Sequence, residues 1–194
     1  PVLSEEKRRI KDLRKKTHWI VDPLDGSHNF ISGLPIFGVS IALVSNSEFL
    51  VGVIYLPIEN NILFAVKGGG AFLNDSKIYV SKNNDLKKSM ITYDNILHQN
   101  EKIVNNYKSL VNNIFTSRIL GSAIYDFSLI SQGKIDARIW NDTKIFDYAA
   151  GALIVKESGG VVTDHKGNKI TLDSKEIVAS NGYVHEAILK ILNN

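Results

Sequence analysis

Two aspartates three residues apart stand in the segment of the chain best suited to chemistry, Asp22-Pro23-Leu24-Asp25-Gly26-Ser27. Proline and glycine at these positions favour a turn, which can aim both carboxylates at one point, and the Leu24 carbonyl can add a third oxygen. Hard divalent cations such as magnesium prefer an all-oxygen ligand set. An EF-hand fits poorly, because its alternating acidic pattern and distal glutamate are missing. The spacing favours a metal site, and a structural Asp-Pro turn is the alternative.

The residues after Asp25 add a possible anion site. If Gly26 and Ser27 open a helix, their free N–H groups and the Ser27 hydroxyl lie beside the metal ligands. Carboxylate-held metals next to N–H donors are what phosphoryl transfer requires, since the metals neutralise charge and activate water while the donors hold the phosphate.

A second acidic segment contains Asp147, which is predicted at the start of a helix that ends at Gly159-Gly160. Ala149, Ala150 and Gly151 follow on the next turn, and such small residues allow another element to approach closely. Taken alone, an aspartate in this position is more often a helix N-cap than a metal ligand.

Composition excludes several classes of protein. The 194 residues are 44% hydrophobic, enough for one substantial core or two joined lobes, and the longest apolar runs are too short to cross a membrane. The absence of cysteine excludes disulfides and thiolate-held metals, and it is compatible with a cytoplasmic location. No apolar signal segment is expected in residues 1–16. The net charge is +3, and a basic run at residues 7–16 is either a solvated face or an anion-binding segment.

The hydrophobic pattern predicts two kinds of architecture along the chain. An antiparallel meander is expected over Phe37–Val44, Phe49–Leu56 and Ile62–Val66. From about residue 115, short strands alternate with helices, and a further helix is expected at Asn100–Asn113. We therefore expect an N-terminal α+β lobe over residues 1–116 and a C-terminal α/β lobe over residues 117–194, sharing an interface.

The two acidic segments together resemble the inositol monophosphatase family. Two motifs carry the resemblance, which covers about residues 3 to 190: Trp19-Ile-Val-Asp22-Pro-Leu-Asp25-Gly-Ser27-x-Asn-Phe30 and Asp147-x-Ala-Ala-Gly-x-x-Ile-x-x-Glu-x-Gly-Gly160. The superfamily includes fructose-1,6-bisphosphatases and nucleotide 3′-phosphatases, and this chain looks most similar to the archaeal-type branch that acts on both inositol monophosphate and fructose 1,6-bisphosphate. The resemblance implies a layered αβαβα sandwich, α+β to α/β in class. The helix pair that normally precedes the Glu5-Glu6 motif is not among these residues, so apolar surface is expected to be uncovered.

The resemblance also implies a set of site residues. The metal ligands implied are Glu5, Asp22, the Leu24 carbonyl, Asp25 and Asp147. The catalytic residues implied are Glu5, Ser27 and Asp25, with Ser27 and Glu5 orienting the attacking water. The substrate contacts implied are Asp25, Gly26, Ser27, Arg118, Gly121, Ser122 and Ala123, and Lys144 is added as a possible phosphate contact.

The same resemblance implies two or three Mg²⁺ ions, with Mn²⁺ as a substitute and Li⁺ as an inhibitor. It also implies a small phosphorylated sugar or polyol as the substrate and a homodimer as the assembly. Binding to a membrane or to nucleic acid is not expected. Trp140 stands where animal-type members have a substrate-binding glutamate, so the substrate stays open. One alternative is a phosphatase for 3′-phosphoadenosine or NADP-type nucleotides. Another is an inactive family fold that binds nucleic acid or a protein partner.

Overall fold

Two β-sheets, one of seven strands and one of five, form the framework of the part of the chain that the structure describes. The structure is a computed structural model, and it describes residues 1–5, 17–98 and 100–193. The basic run at residues 7–16 lies outside the described residues.

The seven-stranded sheet follows the order of the chain, and all its neighbouring strands are antiparallel except the parallel first pair. Its strands are β1 (Val2–Ser4), β2 (His18–Asp25), β3 (Gly38–Ser45), β4 (Glu48–Leu56), β5 (Asn61–Val66), β6 (Gly70–Leu73) and β7 (Ser76–Lys77). This confirms the predicted meander. Asn46 and Ser47, which join β3 to β4, have φ values of 50° and 63°, as a tight two-residue hairpin turn requires.

The five-stranded sheet has the order β11-β12-β10-β8-β9. Its strands are β8 (Met90–Thr92), β9 (Thr116–Arg118), β10 (Ala137–Trp140), β11 (Val161–Thr163) and β12 (Ile177–Ser180). The sequence pattern missed β8, because three residues are too few to show a period. The chain therefore changes sheet between Lys77 and Met90, earlier than the boundary expected near residue 116. The division into two lobes stays a prediction.

Helices occupy the space between the sheets and the far side of the smaller sheet. They are α1 (Ser27–Ile31), α2 (Glu101–Val111), α3 (Ala123–Ser131), α4 (Ile145–Glu157) and α5 (His185–Leu192). Side chains of α3 and α4 share one core with the seven-stranded sheet and one face of the smaller sheet, while α2 and α5 pack on its other face. The predicted layered α/β sandwich is confirmed. No helix among the described residues has the length and apolar character needed to cross a bilayer.

The outer face of the seven-stranded sheet is apolar and exposed. In β4 and β5, Ile54 and Leu63 point inward and are fully buried, whereas Tyr55 and Ile62 point outward and are exposed. Trp19 and Val66 are also exposed, at 42% and 52%. A sheet that is apolar on both faces is typical of one that is covered on both. The expectation that a missing helix pair leaves apolar surface uncovered stays a prediction.

Helix α4 packs unusually close to its neighbours because its first half contains small residues. A Cβ added at Gly151 would lie 2.3 Å from Cγ of Phe127 on α3, and one added at Gly52 on β4 would lie 2.6 Å from the Ala150 carbonyl oxygen. Real Cβ atoms do not approach so closely, so both glycines are required by packing. This fixes the position of α4 against both α3 and the sheet.

Replacing Gly151 by alanine tests this close approach. Helix propensity alone would make Gly151→Ala more stable by about 1 kcal/mol. The clash with Phe127 should instead lower the free energy of unfolding by about 1–3 kcal/mol, measured by urea denaturation. Ser109→Ala, at an exposed position of α2, is the control and should change stability by less than about 0.5 kcal/mol. A Gly151→Ala protein as stable as the wild type would show that the helices do not touch here.

Candidate metal centre

Asp22, Asp25 and Asp147 converge at one point. One carboxylate oxygen from each lies within 4.8 Å of the others. Asp22 and Asp25 belong to the end of β2, and Asp147 is the third residue of α4. The structure thus brings together three carboxylates from segments separated by more than a hundred residues.

A β-bulge explains how Asp22 and Asp25 reach the same side of the sheet. In a regular strand, residues three apart point to opposite faces. Here Asp22 pairs with Ser40 and Asp25 pairs with Gly38, so β2 contains one residue more than β3 between these pairs. An extra residue on one strand restores the common direction of the two side chains.

Gly26 makes the turn from β2 into α1. Its φ is 80°, in the left-handed region, and an added Cβ would lie 2.7 Å from the Ile36 carbonyl oxygen. Only glycine fits there without strain. Helix α1 begins at Ser27, and the Phe30 N–H donates to the Gly26 carbonyl at 2.9 Å. The prediction that Gly26 and Ser27 open a helix is confirmed, and Ser27 is exposed at its first position.

The N-terminus of α3 holds one oxygen of Asp25. Oδ2 of Asp25 accepts hydrogen bonds from the Ser122 hydroxyl and, at 3.2 Å, from the Ile124 N–H. Burial raises the pKa of Asp25 to about 6, although the hydrogen bond from Ser122 lowers it, as does the Ala123 N–H. These hydrogen bonds fix the orientation of the Asp25 carboxylate.

Asp147 is held in the same way by the residues just before α4. Its Oδ2 accepts from the Thr143 hydroxyl at 3.0 Å and from the Lys144 N–H at 2.8 Å. Burial raises the pKa of Asp147, and these two donors oppose that shift. Sequence reasoning missed Thr143, and a hydroxyl four residues before a suspected ligand was the only available signal.

Asp22 is the most perturbed of the three acids. Its Oδ1 accepts from the Leu24 N–H at 3.0 Å, and the side chain is buried. Burial, together with the charge of Asp25, raises the pKa of Asp22 to about 7. A bound divalent cation would remove both penalties, because it neutralises charge and leaves each carboxylate with a partner. The three carboxylates therefore fit a hard cation.

Glu5 and Lys144 lie at the rim of this group. Glu5, just after β1, donates its N–H to the Val21 carbonyl at 3.2 Å, and its charge contributes to the raised pKa of both Asp22 and Asp147. Its Oε1 is 3.2 Å from Nζ of Lys144. Glu5 is thus beside the three carboxylates rather than among them, and its role as a ligand stays a prediction.

The remaining expected substrate contacts lie at two places. Gly121 has a φ of 72° and lies against the Asn29 side chain, whose amide donates to the Ile36 and Leu120 carbonyls at 2.8 Å each. Arg118, at the end of β9, is exposed, and its Nη1 donates to the Thr116 hydroxyl and the Ser117 carbonyl. Among the described residues, no hydrogen bond or ion pair joins Arg118 to the three carboxylates.

Trp140 lies in the core and not at the candidate site. It is 3% exposed, and its ring stacks on Phe127 with centroids 4.4 Å apart. The sequence comparison placed Trp140 where a substrate-binding side chain was expected, whereas the structure gives it a packing role.

A buried ion pair anchors the helix that holds Asp25. Nη1 of Arg138 on β10 is 3.1 Å from Asp126 on α3, and its Nη2 is 3.0 Å from Asp94. All three side chains are nearly inaccessible. Asp126 lies one turn after Ser122, so this pair ties the start of α3 to the smaller sheet.

Comparison with known proteins agrees with this geometry. The model of the inositol monophosphatase family matches residues 1–194. A fructose-1,6-bisphosphatase/inositol-1-monophosphatase of Thermotoga maritima is 37% identical over 175 residues, which are 90% of this chain and 67% of that protein. A protein of Pasteurella multocida named Nus factor SuhB is 34% identical over 97% of this chain and 72% of its own length.

Solved structures show the same fold. The native crystal structure of the extragenic suppressor protein suhB from Bartonella henselae superposes with a TM-score of 0.93 at 34% identity, over 100% of this chain and 75% of that chain. The matched family model, the similar proteins and the convergence of the three aspartates all indicate the same family. The chain belongs to the inositol monophosphatase family and is a phosphatase.

Proposed function

We propose that this phosphatase is Mg²⁺-dependent and hydrolyses a phosphate monoester of inositol phosphate, fructose 1,6-bisphosphate or both. The observation that carries the proposal is the convergence of Asp22, Asp25 and Asp147 within 4.8 Å. Hydrogen bonds from neighbouring groups hold each of the three carboxylates, which is the arrangement that orients carboxylates toward a cation.

Each site residue has a role in this proposal. Two or three magnesium ions, when bound, would supply charge neutralisation and an acidified water. The ligands we assign to them are Glu5, Asp22, the Leu24 carbonyl, Asp25 and Asp147. Ser27, with Glu5, orients the water, and the amides of Gly26 and Ser27 hold the phosphate at the start of α1.

Lys144 supplies a cation for the substrate phosphate, since its ammonium lies at the rim of the acidic group. We assign Ser122 and the Ala123 amide mainly to positioning Asp25, because their donors already point at that carboxylate. Arg118 and Gly121 are assigned to the outer wall of the substrate site. We further propose a homodimer and a cytoplasmic location.

A second candidate role is the binding of a nucleic-acid or protein partner. The name of the Pasteurella multocida relative, Nus factor SuhB, favours it, as does the basic run at residues 7–16. Strongly salt-dependent binding of RNA by a protein with no phosphatase turnover would support this role in place of catalysis.

A substrate panel tests the proposed activity. With Mg²⁺, the protein should release phosphate from inositol 1-phosphate or fructose 1,6-bisphosphate faster than from 3′-phosphoadenosine 5′-phosphate, and EDTA or Li⁺ should suppress the release. Asp147→Asn should lower kcat/KM by about 100-fold or more, because it weakens metal binding and charge neutralisation.

The matched control is Asp142→Asn. Asp142 is an exposed aspartate whose ion pair, at 3.8 Å, is with the exposed Lys175 and not with the acidic group. Its activity should equal that of the wild type. Full Mg²⁺-dependent turnover by Asp147→Asn would contradict the assignment, and a preference for the 3′-phosphonucleotide would replace the proposed substrate class.

Thr143→Val tests how Asp147 is oriented. Removing the hydroxyl frees Oδ2 of Asp147 and should weaken Mg²⁺ binding by about tenfold, measured by isothermal titration calorimetry. Thr17→Val, which removes an exposed hydroxyl 2.9 Å from that of Ser45, is the control and should leave the affinity unchanged. Equal affinities in both variants would show that Thr143 does not position the ligand.

Asp22→Asn tests how much the repulsion among the three carboxylates lowers the free energy of unfolding when EDTA keeps metal away. A carboxylate with a raised pKa binds more protons folded than unfolded, so its contribution to stability falls as the pH rises from about 4 to about 7. At pH 8, Asp22→Asn should therefore be more stable than the wild type by about 1–2 kcal/mol in EDTA. At pH 4 the difference in the free energy of unfolding should vanish. A variant less stable than the wild type at pH 8 would contradict the claim that a charged Asp22 destabilises the folded protein.

A further inference from the structure

A small cavity lies where the β3–β4 hairpin meets the second half of α4, away from the acidic group. Its volume is about 200 Å³, and its charged lining consists of Lys67, Lys156, Lys169, Glu48 and Glu157. Lys156 follows Asp147 by nine residues on α4, which separates the two by about 14 Å along the helix. The cavity is thus distinct from the candidate metal centre.

Both glutamates of this cavity already have partners. The two carboxylate oxygens of Glu157 accept the N–H groups of Gly68 and Gly70 at 2.8 and 2.9 Å. Glu48 is 2.7 Å from the ammonium of Lys67. The acidic side chains are therefore used in holding the β5–β6 turn and Lys67.

Two lysines are left without a dedicated acidic partner. Among the described residues, neither Lys156 nor Lys169 has an ion pair within 4.0 Å or a side-chain hydrogen bond. Lys169 interacts with Glu48 only over a longer distance, where its charge lowers the pKa of that carboxyl. Lys156 is half-buried, and burial lowers its pKa, as does the nearby charge of Lys169. Two lysines that line one cavity disfavour each other's charge, and three lysines against two glutamates leave the lining with a net charge of +1, so an anion between the lysines would be stabilised.

We propose that this cavity binds a small tetrahedral oxyanion of the phosphate or sulfate type, held by the ammonium groups of Lys156 and Lys169. The Ser47 hydroxyl, which also lines the cavity, is a further donor. The cavity is smaller than the roughly 300–1,000 Å³ of sites for larger organic ligands, so it accommodates an ion rather than a nucleotide or a sugar phosphate. This site does not depend on the proposed phosphatase substrate.

Titration of the whole protein with inorganic phosphate in EDTA tests the site. Calorimetry should show saturable binding of one phosphate per chain without metal. Lys156→Met and Lys169→Met should each weaken it by about tenfold or more, because each removes a charge-assisted hydrogen bond. Lys169 is exposed, so its replacement is not expected to disturb folding, and circular dichroism checks both variants.

Two control variants separate this site from other basic positions. Lys190→Met removes an exposed charge from α5, and Lys108→Met removes an exposed charge from α2; both should bind phosphate as the wild type does. The absence of saturable binding to the wild type would overturn the proposal. So would binding that Lys156→Met and Lys169→Met leave unchanged, or binding lost in Lys144→Met, which would assign the anion to the candidate metal centre.

Discussion

Electrostatic repulsion among three carboxylates is the constraint on which this structure depends. Asp22, Asp25 and Asp147 approach within 4.8 Å in largely buried surroundings, and burial raises the pKa of each, as does the charge of a neighbouring carboxylate, which for Asp147 is that of Glu5. Like charges held this close, away from water, cost free energy. The acids therefore stay together only because rigid elements hold them, and the cost is removed when a cation binds.

The fold meets this constraint from three directions. The bulge in β2 turns Asp22 and Asp25 to the same side, the start of α3 holds Asp25, and the residues before α4 hold Asp147. The close contact of Gly151 with Phe127 fixes α4 against α3, and the buried pair of Arg138 and Asp126 ties α3 to the smaller sheet. The packing of the core thus sets the geometry of the site, so a change far from the acids can alter metal affinity.

The strands, the helix and the acidic residues of this site could be predicted from the sequence. The contacts between distant segments that hold the acidic residues in place could not. The meander was predictable from its β-branched and aromatic runs separated by turn residues, and the helix starting near Asp147 from its apolar run that ends at Gly159-Gly160. The three aspartates were predictable from residue type and from the family resemblance. The bulge in β2, the hydroxyl of Thr143 and the bond from Ser122 to Asp25 depend on register and on contacts between distant segments. Trp140 shows the same limit, since the family resemblance says only that it stands where animal-type members bind substrate, whereas the structure shows that it packs in the core.

The most direct test of this account is a crystal structure of the protein grown with Mn²⁺, examined for anomalous scattering. The account predicts a strong anomalous peak about 2.2 Å from carboxylate oxygens of Asp22, Asp25 and Asp147, a distance close to that expected for magnesium. Manganese bound elsewhere, with these three carboxylates unliganded at full metal loading, would contradict it.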